Sequence, residues 1–83
     1  MKTFNHKAKL TLLEDLQYKL DYSGGANPIY IGQSYPGAAT STATWQIKKL
    51  TYDGNGNVTV VAFAGGTPDA NQIWDNRATL SYS

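Results

Sequence analysis

The segment Asp53-Gly54-Asn55-Gly56-Asn57 constrains the fold most, because it joins two strand-like runs across a turn short enough to force an antiparallel hairpin. Glycine and asparagine reach positive φ at little strain, which a tight hairpin needs. Before the turn, Thr44–Tyr52 places Trp45 and Ile47 on one face and Leu50 and Tyr52 on the other. After it, Val58–Ala64 places Val58, Val60 and Ala62 against Val61 and Phe63. Apolar residues on both faces of this second arm predict a central strand covered on both sides.

The flanking sequence continues in the same idiom. From Asp15 to Tyr22 the even positions Leu16, Tyr18, Leu20 and Tyr22 alternate with Asp15, Gln17, Lys19 and Asp21. This is the period of a half-buried strand, with the leucines and tyrosines expected against the core. Ser23–Asn27 is a turn cluster, Pro28 stands at the start of a short strand Ile29–Ile31, and the small residues of Gly32–Ala43 predict a loop over one end of the domain. A second loop, Gly65–Gln72, leads to Ile73 and Trp74. A closing strand follows, with Ala78, Leu80 and Tyr82 on one face and Arg77, Thr79 and Ser81 on the other. No helix longer than one turn is expected. The fold class is all-β: a small antiparallel β-sandwich or partly open barrel of about five strands with an N-terminal arm.

The arm is residues 1–14 and the single β domain residues 15–83. Lys2, His6, Lys7 and Lys9 make the arm basic, and it contains neither Gly nor Pro. Within it Leu10, Leu12 and Leu13 form an apolar cluster. Full exposure would forfeit roughly 1.5–3 kcal/mol per large side chain, so a subunit interface is expected for them, either a neighbour's sheet edge or a groove, with an arm folded back on its own domain as the alternative.

With no cysteine and one histidine, the 83 residues have neither a disulfide staple nor a zinc cluster to support so small a core. At 41% hydrophobic and 16% charged the chain is too apolar for disorder, and its polar surface rests on twenty Ser, Thr and Asn residues. A net charge of +1 gives no electrostatic footprint for nucleic acid or an anionic membrane, so neither is expected as a partner. The longest apolar run, Val60–Ala64, is too short for a membrane span or a signal-peptide core, and the expectation is a soluble, not conventionally secreted chain.

No catalytic set emerges, and no enzymatic activity and no cofactor are expected. His6 lies in the arm, Glu14 and Asp15 are neighbours that a strand would point to opposite faces, and Asp69 and Asp75 lie in or beside a loop. Asp53, Asn55 and Asn57 match the opening of a calcium-binding EF-hand loop, but Val58 and Ala64 stand where that loop requires glycine and glutamate. A hairpin turn is the better reading, with a calcium-stabilised adhesion module as a remote alternative. No metal ligands are assigned. Trp74, Asp75, Asn76 and Arg77 could present an aromatic platform and polar groups to a sugar ring. The competing structural reading has Trp74 capping the core while Arg77 pairs with Asp75 or stacks on an aromatic ring.

The order of these segments carries a resemblance. Tyr30-Ile31-Gly32, Pro36-Gly37, the strand with Trp45, Ile47 and Lys49, Tyr52-Asp53 with its glycine turn, and the run Ile73, Trp74, Asp75, Arg77, Ala78, Leu80, Tyr82 recur in that sequence. Over residues 15–83 the chain resembles short structural proteins of tailed-bacteriophage virions. Phe63-Ala64 stands where members often carry tryptophan with alanine, and Asn76 where they often carry a second acid. The resemblance implies a particle component, assembled in the host cytoplasm, whose partners are other virion proteins and further copies of itself. A compact, weakly charged β domain with open edges suits a protein that decorates or joins capsid, tail or baseplate subunits. The alternative is a carbohydrate-binding module of a tail tip or fibre, using Trp74, nearby tyrosines and the Gly32–Ala43 loop.

Overall fold

A computed structural model describes residues 16–83. Leu10, Leu12 and Leu13 of the arm lie outside the described residues. Five strands form one antiparallel sheet: β1 (Gln17–Asp21), β2 (Tyr30–Ser34), β3 (Ala43–Tyr52), β4 (Val58–Phe63) and β5 (Gln72–Ile73). Their order is β1-β2-β3-β4, and β5 pairs with the first residues of β3. A six-residue 3₁₀ helix, Trp74–Thr79, follows β5. The expected five-stranded antiparallel all-β fold is therefore the one observed.

The central hairpin forms where its turn chemistry places it. The Gly56 N–H donates to the Asp53 carbonyl and the Asp53 N–H to the Asn57 carbonyl, with Gly56 at φ +85°. Only Gly56 uses positive φ; the asparagines do not. Asn55 and Asn57 are instead held through their backbone N–H groups, both of which donate to Asp53 Oδ1 at 2.9 Å. The β1–β2 hairpin turns at Tyr22–Gly25, with Ser23 at φ 50° and Gly24 at φ 81°.

The core lies on one face of the sheet. Trp45 and Ile47 are fully buried there, with Ala38, Ala64 and Trp74, and with Tyr30, Leu80 and Tyr82 packed around them. Gly32 pairs opposite Ile47 in the ladder, and a Cβ on it would stand 2.5 Å from Trp74 Cε3 and 3.1 Å from Trp45 Cε3. The absent side chain lets both indoles lie directly on β2, their ring centres 5.8 Å apart. The segment 35–42 covers this face, burying Ala38 and supplying the Ala39 carbonyl that accepts the Trp45 Nε1–H at 3.0 Å.

Four sequence expectations are corrected. Gly32–Ala43 is not all loop, because β2 continues to Ser34, whose buried hydroxyl donates to the Thr44 carbonyl at 2.7 Å. β4 is not central: it ends the strand order, and Val58, Val60 and Val61 are about half exposed. β1 presents the opposite face to the one its alternation predicts. Lys19 pairs with Gly32 and Asp21 with Tyr30, which puts the polar residues on the core side, while Tyr18 and Leu20 remain 54% and 50% exposed. Trp74 already fills the space over Gly32, leaving no room there for a leucine stripe. Finally, the closing strand is replaced by the 3₁₀ helix, and only Ser81–Ser83 pair with the end of β4 and the two residues after it.

Candidate functional site

Of the residues singled out as a possible ligand platform, Trp74 and Arg77 converge, on each other, while Asp75 and Asn76 are exposed. A 3₁₀ helix has three residues per turn, so side chains three apart eclipse. Arg77 consequently lies over Trp74, its guanidinium carbon 4.6 Å from the ring centre. Its Nε donates to Asp21 Oδ2 at 2.7 Å and its Nη1 to the Trp74 carbonyl at 3.2 Å. The sequence offered Asp75 or an aromatic ring as the arginine's partner, and it is the ring that is observed. In the structure Asp75 is exposed, and it is its backbone N–H that is used, donating to the Thr40 carbonyl at 3.1 Å.

Asp21 joins two parts of the molecule. Oδ2 holds Arg77, and Oδ1 accepts the Ser23 N–H at 2.9 Å inside the β1–β2 turn. The bond from Arg77, followed by that from the Ser23 N–H, holds the carboxyl below the ordinary value of 3.8. On the other side of the helix, the Tyr82 hydroxyl donates to the Arg77 carbonyl at 2.7 Å while its ring lies 5.7 Å from that of Tyr30. Burial, reinforced by Tyr30, pushes the Tyr82 phenol up to about 12.

This geometry decides the role of Trp74. The indole is 5% exposed, packed against β2 and Trp45 on one side and capped by Arg77 on the other. A sugar ring needs an open aromatic face, and Trp74 has none. The cluster fastens the 3₁₀ helix to β1, and a groove of about 410 Å³ remains beside it, lined by Tyr18, Lys19, Leu20, Asp21, Trp74 and Arg77.

The Asp53 loop likewise spends its acceptors on itself. Oδ1 takes the N–H groups of Asn57 and Asn55, and these bonds lower the carboxyl below 3.8. A second cavity, about 370 Å³, is lined by Leu16, Gln33, Ser34, Tyr35, Thr44, Gln46 and Ala70. Gln46 donates from Nε2 to the Pro68 carbonyl at 2.6 Å, while its buried Oε1 has no partner among the described residues. Among the described residues no group of three His, Cys, Asp or Glu side chains is placed to hold a metal ion, and no helix is long and apolar enough to cross a membrane.

Sequence reasoning missed the exposed face of the sheet. The ladder aligns Leu20, Ile31, Lys48 and Phe63 in one row and Leu50 with Val61 in the next, with Tyr18 beside Gln33 and Gln46. Tyr18, Leu20, Tyr22 and Val61 are 44–54% exposed on this side. The signal lies in the even positions of β1, whose alternation by itself does not tell the core side from the open one. Comparison with known proteins finds no family model, no curated protein and no solved structure that matches the chain.

Proposed function

We propose that this chain is a non-enzymatic structural subunit of a tailed-bacteriophage virion that decorates or joins other virion proteins. The observation that carries this reading is the exposed sheet face. A row of large apolar side chains on a regular sheet is a surface that water disfavours and that a second protein would bury. The resemblance of its segment order to that of short virion proteins suggests the setting. The sugar-binding alternative loses its support, because it needed a free face on Trp74.

Imaging intact particles of a phage that carries the chain tests the reading. Density for this domain should recur at a fixed place, with the Tyr18, Leu20 and Val61 side turned to another virion protein. Particles without that density, or incubation with host cell-wall glycans that yields cleavage dependent on Asp69 or Asp75, would refute it.

A further inference from the structure

The outer edge of β1 is built to receive a strand. β1 stands at the end of the strand order, with no strand beyond it among the described residues. In the β2–β3 ladder the Leu50 N–H donates to the Ile29 carbonyl, so odd residues of β2 bond β3 and even residues bond β1. Residues 17, 19 and 21 pair with those even residues, which turns the N–H and C=O groups of Tyr18 and Leu20 outward, with no backbone partner among the described residues. These groups open onto the groove of about 410 Å³ between β1 and the Trp74–Arg77 helix. The edge is regular, unlike that of β4, whose register shifts between Thr51 and Tyr52 and whose end is taken by Ser83.

We propose that this edge binds residues 7–13 of a second copy as an added antiparallel strand, reciprocally, in a strand-exchanged dimer. The inference rests on the reading of the chain as an assembly component, and names its first partner. Charge and pattern fix the register. Thr11 opposite Lys19 puts Lys9 opposite Asp21, Leu10 beside Leu20 and Leu12 beside Tyr18, on the exposed apolar side. A shift of two in one direction keeps one opposite-charge pair, Lys7 with Asp21, but sets Lys9 against Lys19 and Ala8 instead of Leu10 beside Leu20; a shift in the other removes every opposite-charge pair. At about 3.3 Å per residue, the 13 residues reach about 43 Å, ample to leave one sheet and line another.

The same pairing inside one chain would need a hairpin through Glu14, Asp15 and Leu16. A three-residue hairpin loop ends in a left-handed residue. Residues 10–16 contain no Gly, Pro or Asn to take that conformation. A hinge without turn residues favours exchange over closure. The two-fold axis of the dimer brings Asp15 to its own copy, a like-charge contact of the register.

The chain has no cysteine, so engineered thiols give a clean test. Thr11 and Lys19 form a non-hydrogen-bonded pair, about 4.5 Å between Cα atoms, within disulfide reach. Mixing full-length Thr11→Cys with full-length Lys19→Cys under mild oxidation should give a covalent heterodimer, whereas Lys9→Cys mixed with Lys19→Cys should give little. Leu10→Ser and Leu12→Ser should each weaken self-association by about tenfold or more, and Asp15→Asn should tighten it. Circular dichroism confirms that each variant is folded. A chain that sediments as a monomer, a double Thr11→Cys/Lys19→Cys variant that closes only on itself, or equal cross-linking in the shifted register would overturn the proposal. Particle imaging is independent: a dimer absent from particles refutes the virion reading alone, and a monomer located in particles refutes the exchange alone.

Discussion

Gly32 is the residue on which the packing of both tryptophans depends. Any Cβ meets the six-membered ring of Trp74, with 2.5 Å and 2.6 Å to its carbons, and neither ring can withdraw because Trp45 is fully buried and Trp74 is pinned under Arg77. Gly32→Ala should therefore cost about 1–3 kcal/mol, read as a shift of the urea midpoint at unchanged slope. Tyr82 offers a second test. Its folded pKa is raised to about 12 from 10.0, so its stabilisation is complete below pH 10 and is lost as pH rises from there towards 12. Tyr82→Phe keeps the stacking on Tyr30 but removes the bond to the Arg77 carbonyl, costing about 0.5–1.5 kcal/mol at neutral pH. In thermal melts the variant should lose part of the alkaline decline seen in the parent; an identical decline would show that Tyr82 is not its source. Asp21 and Asp53 work in the opposite direction. Their lowered values mean stability that is present above about pH 4 and lost as pH falls below it.

At the scale of elements, the central hairpin separates its two glycines. Gly56 sits at φ +85°, where a β-branched residue is strained, whereas Gly54 has no such φ and nothing within 4 Å of a Cβ. Gly56→Val should lower stability by more than about 1 kcal/mol and Gly54→Ala by less than about 0.5 kcal/mol. Equal melting temperatures for the two variants would show that the turn is not built this way. The hairpin was legible because its information is local: turn residues, two flanking alternations and a fixed spacing. The face of β1 was not, since alternation tells which residues share a side but not which side meets the tryptophans. That is decided by Gly32 and Trp74, 13 and 55 positions from Lys19 in the sequence. The closing helix was hidden by a related ambiguity. Ala78, Leu80 and Tyr82 fit a period of two, and the competing three-residue spacing of Trp74 and Arg77 gained its meaning only from Asp21 on the far strand. Of the residues read together, Trp74 and Arg77 meet, Asp75 does not join them, and the carboxylate that holds Arg77 lies 56 residues away.

At the scale of the whole molecule, the sheet has one face committed to its own core and the other offered outward. The first holds Trp45, Ile47 and Trp74 under the segment 35–42 and the 3₁₀ helix. The second carries Tyr18, Leu20 and Val61 at about half exposure, with Ile31, Leu50 and Phe63 between them and Lys48 Nζ 5.9 Å from the Phe63 ring. A strand added at the β1 edge would shield Tyr18 and Leu20 but stop short of Leu50 and Val61, two and three strands away. The far half of this face is therefore left for a different protein, which separates self-association from attachment. Val61→Lys should leave thermal stability within the range of ordinary surface changes, about 0.5 kcal/mol, because the side chain is half exposed and sits at the end of the strand order. It should leave the sedimentation of the purified chain unchanged while sharply reducing its copy number in particles assembled from the variant gene. Ile47→Ala, on the committed face and 1% exposed, should do the reverse at its origin, lowering stability by about 2–5 kcal/mol before any assembly step. Normal incorporation of Val61→Lys would remove the outer face from any part in attachment, since a buried, unpaired lysine in an apolar contact is not tolerated without loss of binding.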